Sequence, residues 1–90
     1  MFKQTEKVSE YELPIKIWPQ KNGGFVVTSP LWNDCYAQGD TVDEAVLEIT
    51  ALAQSLIELY KEEGLKIPLK LAGEKKFDNP NLSVPILVAV

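Results

Sequence analysis

The chain has 90 residues, with 9 lysine and arginine residues against 13 aspartate and glutamate residues, so its formal charge is −4. This length fits one domain, which we take to span residues 1–90. The absence of histidine excludes Ser-His-Asp and Cys-His nucleophiles and His-based metal sites, and one cysteine, Cys35, cannot form an internal disulfide or a multi-thiolate zinc site. Because an acidic chain repels phosphate backbones, we expect no direct nucleic-acid partner and a basic partner instead.

The N-terminal residues 1–10 are polar and unpatterned, which predicts a flexible terminus or an extra edge segment. They lack the apolar core of a signal peptide. No apolar run in the chain approaches the roughly 20 residues that a membrane-spanning helix needs. We therefore expect a cytoplasmic protein with no membrane partner.

Three short strands are predicted next. Residues 11–17 alternate between apolar and polar, the period of a half-buried strand, and Pro14 cannot donate to a ladder, so this stretch should lie at an edge or bulge. Residues 20–24 (QKNGG) are typical of a hairpin turn. Residues 25–29 are β-branched and aromatic, and residues 35–38 suffice only for a brief third strand. This pattern predicts a three-stranded antiparallel meander.

A long helix is predicted over residues 41–63. Thr41 and Glu44 have the spacing of a capping box, in which the hydroxyl accepts an amide hydrogen bond and the carboxylate returns one. Gly64 is placed to end the helix in a left-handed conformation. The apolar positions at helical spacing predict a broad buried stripe, composed of Val42, Ala45, Val46, Ile49, Leu52, Ala53, Leu56, Leu59 and Tyr60.

The remainder of the chain predicts a closing strand. Residues 66–71 are compatible with extended structure, and residues 83–90 are almost all apolar and β-branched. Because this last run does not alternate, both of its faces should be covered, and we expect Val84, Ile86 and Val88 to pack against another copy in a homodimer or higher oligomer. The predicted fold is α+β in the order β-β-β-α-β, with the helix packed across the sheet.

Two segments together resemble the HicB family, the antitoxin half of HicA–HicB toxin–antitoxin pairs. The first is Gly23-Gly24-Phe25-Val26-Val27-Thr28-Ser29-Pro30. The second is Cys35-Tyr36-Ala37-Gln38-Gly39-Asp40-Thr41-Val42-Asp43-Glu44-Ala45, and Ile67-Pro68 after the helix also matches. Family members show a Gly-Gly-aromatic-Val strand running to a proline, a short loop, and Gln-Gly-Asp-Thr before a Glu-Ala helix start. The resemblance covers roughly residues 11–71.

The resemblance implies a partial ribonuclease-H-like fold that lacks catalysis, so that the chain is not an enzyme and needs no cofactor or metal. It implies a HicA-like toxin as the partner, a small basic protein that cleaves mRNA and whose RNA-binding site the antitoxin covers. Many such antitoxins carry a helix-turn-helix or ribbon-helix-helix segment, and this sequence stops at Val90. We therefore expect DNA binding to require another polypeptide.

Four residues are candidates for partner binding: Trp18, Trp32, Asp34 and Tyr36. Aromatic side chains beside acidic residues suit an interface hot spot, where tryptophan and tyrosine are enriched. The alternative is that these aromatic rings pack over the open face of the sheet, as core or as an oligomer contact.

The sequence is also compatible with other functions. Asp34, Asp40, Asp43 and Glu44 could gather as the metal-binding carboxylates of a ribonuclease-H-type nuclease, although three of the four already have a role at the helix start. A stand-alone oligomeric relative with no toxin partner is a further possibility. The helix also carries Glu44, Glu48, Glu58 and Glu62, which either attract a basic partner or form an ordinary solvated face.

Overall fold

A long central strand organises the sheet. The computed structural model describes residues 8–71 and 82–89. The elements in chain order are β1 (Val8–Pro19), β2 (Phe25–Thr28), β3 (Tyr36–Gly39), α1 (Val42–Glu63), β4 (Lys70–Leu71) and β5 (Leu82–Ala89). The strand order is β3-β2-β1-β4, and β5 also pairs with β1; every pairing is antiparallel. The predicted α+β fold, with its meander, long helix and closing strand, is confirmed.

β1 is long enough to serve several partners at once. Residues 16–19 pair with β2, residues 8–15 pair with β5, and β4 pairs with Tyr11 and Glu12. Within the described part of the chain, Pro14 therefore pairs with Ser83 of β5 and with no second strand. This agrees with the prediction that the stretch around Pro14 lies at an edge, because a proline cannot donate a ladder hydrogen bond.

Two predicted segments differ from the observed elements. Residues 8–10, predicted as part of a flexible terminus or an extra edge segment, extend β1 because β5 offers them partners at residues 87–89; residues 1–7 lie outside the described residues. In the segment 66–71, only Lys70 and Leu71 form a strand, beside β1. Residues 72–81, and Val90 at the end of the predicted last strand, also lie outside the described residues.

The helix begins and ends as its local sequence predicts. The Thr41 hydroxyl accepts a hydrogen bond from the Glu44 amide at 3.1 Å, and a Glu44 carboxylate oxygen accepts one from the Asp40 amide at 2.9 Å. Gly64 adopts φ 72°, and its amide donates to a carbonyl of the last helical turn. At both ends of α1, backbone groups that the helix leaves unpaired are thus hydrogen-bonded by residues a few positions away in sequence.

The buried stripe of the helix is narrower than predicted. Its fully buried residues are Ala45, Ile49, Ala53 and Ile57, four residues apart, and Ile57 is absent from the predicted set. Val42 and Leu59 are exposed: Val42 is the first residue of the helix, and Leu59 lies at the margin of the stripe. The stripe packs against Leu13, Val27 and Ile86 of the sheet.

The closing strand does alternate once its surroundings are known. Ile86 and Val88 are buried under the helix, whereas Pro85 and Leu87 between them are exposed. The expectation that both faces are covered is thus not met within this chain: one face packs on the helix and the other points away from it. The side-chain amide of Gln54 on α1 donates to the Leu87 carbonyl at 2.9 Å, which ties this strand to the helix.

Candidate interaction surfaces

The sheet face opposite the helix, here named the open face, carries a fixed aromatic side chain. The open face consists of Glu10, Glu12, Pro14, Lys16, Trp18, Val26, Thr28, Tyr36, Gln38, Ser83, Pro85 and Leu87, as the strand register and side-chain alternation require. Trp18 is 49% exposed, yet its indole Nε1 donates to the Thr28 hydroxyl at 2.9 Å, and the Lys16 ammonium lies 6.0 Å from its ring centroid. The ring is therefore held in place before any partner binds.

Tyr36 lies on the same face. The register places Lys16, Thr28 and Tyr36 in one row across β1, β2 and β3. Tyr36 is 62% exposed, so its ring is available to a partner. The structure thus brings two of the four predicted partner-binding residues, Trp18 and Tyr36, onto one surface, separated by Thr28 and Val26.

Trp32 does not belong to that surface. It is 3% exposed and packs edge-to-face on Tyr60 of α1, with ring centroids 5.0 Å apart. Its indole Nε1 donates to the Tyr60 hydroxyl at 3.1 Å, and that hydroxyl donates to the exposed Asp34 carboxylate at 3.4 Å. Trp32 therefore joins the loop after β2 to the core, which corrects its prediction as an exposed contact, while Asp34 lies at the surface beside it.

The three residues predicted for an oligomer interface lie on the core side of β5. Ile86 is fully buried, Val88 is 4% exposed, and Val84 is partly buried against the core cluster. Their contacts are with α1 and β1 of their own chain, because the helix covers this side of the strand. The large apolar side chain that β5 exposes on the open face is Leu87.

The outward side of α1 carries most of the negative charge of that helix. The helix contains six carboxylates and one ammonium, that of Lys61. Four of the carboxylates lie within one arc away from the core stripe and form the surface named the acidic face: Glu44, Glu48, Glu58 and Glu62. Leu47 lies among them and is 71% exposed, an unusual position for a leucine.

The motif residues meet at one end of the sheet. A cleft of about 320 Å³ is lined by Gln20, Gly23, Gly24, Phe25, Val26, Gln38, Gly39, Asp40 and Glu44. Gly39 lets the helix start approach β3: an added Cβ would lie 2.6 Å from the Ala45 amide nitrogen and 2.8 Å from the Glu44 Cβ. Close packing and helix capping are therefore sufficient to explain the Gly-Gly and Gln-Gly-Asp-Thr segments.

Asp34 lies apart from the other acidic residues considered for metal binding. Asp34 accepts from Tyr60, whereas Glu44 bonds the Asp40 amide at the helix start. Among residues 8–71 and 82–89, no group of three histidine, cysteine or acidic side chains is arranged to hold one metal ion. The same residues contain no helix with both the length and the apolar character to cross a bilayer.

Cys35 is buried in the core. Burial raises the pKa of its thiol from 9.0 to about 11, because the thiolate loses its hydration there. The thiolate is the reactive form, so this cysteine is a packing residue rather than a nucleophile in the folded chain.

We expect the Cys35 thiol to react with a labelling reagent at least a hundredfold more slowly in the folded protein at pH 8 than in concentrated urea. The reason is that a rise of two pKa units lowers the thiolate fraction about a hundredfold. Ellman's reagent measures both rates.

The folded protein should also lose stability as the pH rises from 9 toward 11, because the unfolded chain releases this proton first. Replacing Cys35 by alanine should remove that slope; equal labelling rates in both states would contradict the burial.

Comparison with known proteins gives one informative relative. A UPF0150 protein from Synechocystis sp. is 34% identical over 55 residues, which cover 61% of this chain and 75% of the relative. No family model matches the chain. No solved structure matches it either.

Proposed function

The chain belongs to the UPF0150 family, and we propose that it is a non-catalytic binding module, an antitoxin of the HicB type. In this proposal it neutralises a small basic mRNA-cleaving toxin of the HicA type by covering the toxin's RNA-binding site. Membership of the UPF0150 family supports the proposal that this chain is related to such antitoxins. The resemblance of the two Gly-containing segments to the HicB motifs supports the assignment to the HicB type.

The acidic face of α1 is the observation that carries the proposal. A protein surface that binds RNA must be positively charged, because the phosphate backbone supplies most of the binding free energy. The carboxylates of Glu48, Glu58 and Glu62 present the opposite charge along a rigid helix, and Leu47 adds an apolar contact at the edge of this face, beside Glu48. A helix of this kind can occupy the RNA-binding surface and exclude the substrate by charge and bulk.

The mode of action is steric. Glu44 is committed to the helix cap, and Cys35, the thiol of the chain, has a pKa of about 11. Neither group is therefore poised to act as a nucleophile or base at neutral pH. What the surface offers a partner is a fixed shape with a strong negative charge, and this suffices to block another protein's active site.

Co-expression with a HicA-type toxin encoded beside this chain tests the proposal. The two proteins should co-purify, and growth should recover. Reversing three charges with Glu48→Lys, Glu58→Lys and Glu62→Lys should weaken binding at least a hundredfold, mainly by slowing association, because electrostatic steering is lost. Raising the salt concentration should weaken the wild-type complex in the same direction.

A matched pair of single variants locates the contact. Glu58→Lys reverses a charge on the acidic face, and Asp43→Lys makes the same change on the flank of the same helix. Only the first should weaken binding more than about fivefold. Failure to co-purify together with failure to rescue growth would overturn the proposal, and Mg²⁺-dependent cleavage of labelled RNA by the purified chain would replace it with the nuclease alternative.

A further inference from the structure

The open face has no cover within the described residues, although it contains large apolar side chains. Trp18 is 49% exposed and Leu87 is 52% exposed. They lie toward opposite ends of the face, because Leu87 is in register with Glu10 and Trp18 lies eight residues further along β1. Separately exposed apolar side chains are common at protein surfaces, so the charges between these two decide what the open face can bind.

The order of charges along β1 is the informative feature. On the open face, β1 presents Glu10, Glu12, Pro14, Lys16 and Trp18 in that order. Acidic residues thus precede Pro14, and the cation follows it at equal spacing. A strand with this pattern is complementary to an antiparallel copy of itself, since Glu12 of each strand then faces Lys16 of the other.

The shape of the face agrees with the charge pattern. The middle is low, with Pro14 in register with Ser83 and with Pro85 next to it. The two ends are higher, with Trp18 at one and Leu87 at the other. When two such faces stack in antiparallel orientation, the Trp18 end of one copy meets the Leu87 end of the second, and the gap between the low centres is spanned by the long side chains of Glu12 and Lys16.

We propose that two copies of this chain pack open face to open face, with the β1 strands antiparallel and a two-fold axis passing near Pro14. In this dimer Glu12 of each copy pairs with Lys16 of the second copy, and Trp18 packs on Leu87 of the second copy. Because Trp18 is already fixed by its bond to Thr28, little side-chain entropy is lost on association. The acidic faces of the two helices then point outward, away from each other.

The charge distribution favours a second copy over other occupants. The acidic face would repel its own copy, whereas the open face carries both signs of charge in a self-complementary order. The dimer goes beyond the proposed toxin binding and is independent of it. The two ideas use opposite sides of the domain, so each can fail alone.

Charge exchange tests the dimer. Sedimentation equilibrium of the purified chain alone should show a dimer. Lys16→Glu should raise the dimer dissociation constant at least tenfold, because the carboxylate then faces Glu12 of the second copy. Glu12→Lys should do the same. The double variant with both changes should return to within about threefold of the wild type, because the pair is restored with its signs exchanged.

Two further variants keep the test sharp. Leu87→Ser should also raise the dissociation constant at least tenfold, because it removes the apolar side chain on which Trp18 of the second copy packs. Lys21→Glu, the same charge change in the hairpin loop, should leave it unchanged. Thermal unfolding of each variant shows that the domain still folds. Three outcomes would each overturn the proposal. The first is a wild type that is still monomeric at about 0.1 mM or above, a concentration typical of weak interfaces. The others are a double variant that stays dissociated and a Glu48→Lys variant, changed on the helix, that dissociates.

Discussion

Gly39→Ala should destabilise the domain by about 3 kcal/mol, because the new methyl group has nowhere to go. Its Cβ would lie 2.6 Å from the Ala45 amide nitrogen and 2.9 Å from the Glu44 carbonyl carbon, and both are backbone atoms of the first helical turn. The helix start would have to move away from β3, and the packing of Ala45 and Ile49 beneath it would open. Urea unfolding followed by tryptophan fluorescence measures the change.

Gly23→Ala is the matched control for this substitution. An added Cβ at Gly23 meets nothing within 4 Å, but its φ of +102° is strained for alanine. We expect a cost of about 1 kcal/mol, caused by the backbone conformation alone. Equal costs at the two positions would show that the close approach at Gly39 does not determine its effect.

Trp32→Ala should cost about 4 kcal/mol, as is common for a buried tryptophan. Small domains are stable by about 5–15 kcal/mol, so this single change removes much of the margin. The loss arises because the ring fills the space between the loop after β2 and Tyr60. Near-ultraviolet circular dichroism and urea unfolding together report it.

Tyr60→Phe separates the packing contribution from the hydrogen bond. The ring contact with Trp32 stays, whereas the buried indole Nε1 loses its acceptor and Asp34 loses its donor. We expect a cost of about 1–2 kcal/mol. If Trp32→Ala cost no more than Tyr60→Phe, the ring would contribute little by packing, contrary to its 3% exposure.

The helix was predictable because its signals are local. Thr41, Glu44 and Gly64 act on atoms within four residues of themselves, so their spacing in the sequence determines the bonds they form. The extent of the buried stripe was less predictable, since it depends on how far the sheet extends beneath the helix. Val42 carries the same spacing signal as Ala45, yet it is exposed.

The interaction residues were only partly predictable, for a physical reason. Trp18 and Tyr36 occupy alternate positions of regular strands, where the period of two places both side chains on the face away from the helix. Trp32 lies in a loop, and its burial depends on Tyr60, which is 28 residues away in sequence. No local pattern records that contact, so the ring was assigned to the surface.

The closing strand shows the same limit. Apolar and polar residues do not alternate along this strand, so the sequence does not show which side chains face the core. Its register is fixed by β1 at the other end of the chain. Only that register shows that Ile86 and Val88 face the helix while Leu87 does not. The prediction of a strand was therefore sound, whereas the assignment of its faces required the three-dimensional partner.

The pairing of β1 with β5 sets the order of events during translation. Residues 8–15 of the nascent chain emerge from the ribosome early, but their partners in β5 are made some seventy residues later. At ordinary elongation rates of about 5–20 residues per second, this half of β1 waits several seconds or more without its ladder. Leu13 is then exposed to chaperones and to other nascent chains, so hydrophobic replacements at the polar positions of β1 should lower the yield of folded protein in the cell.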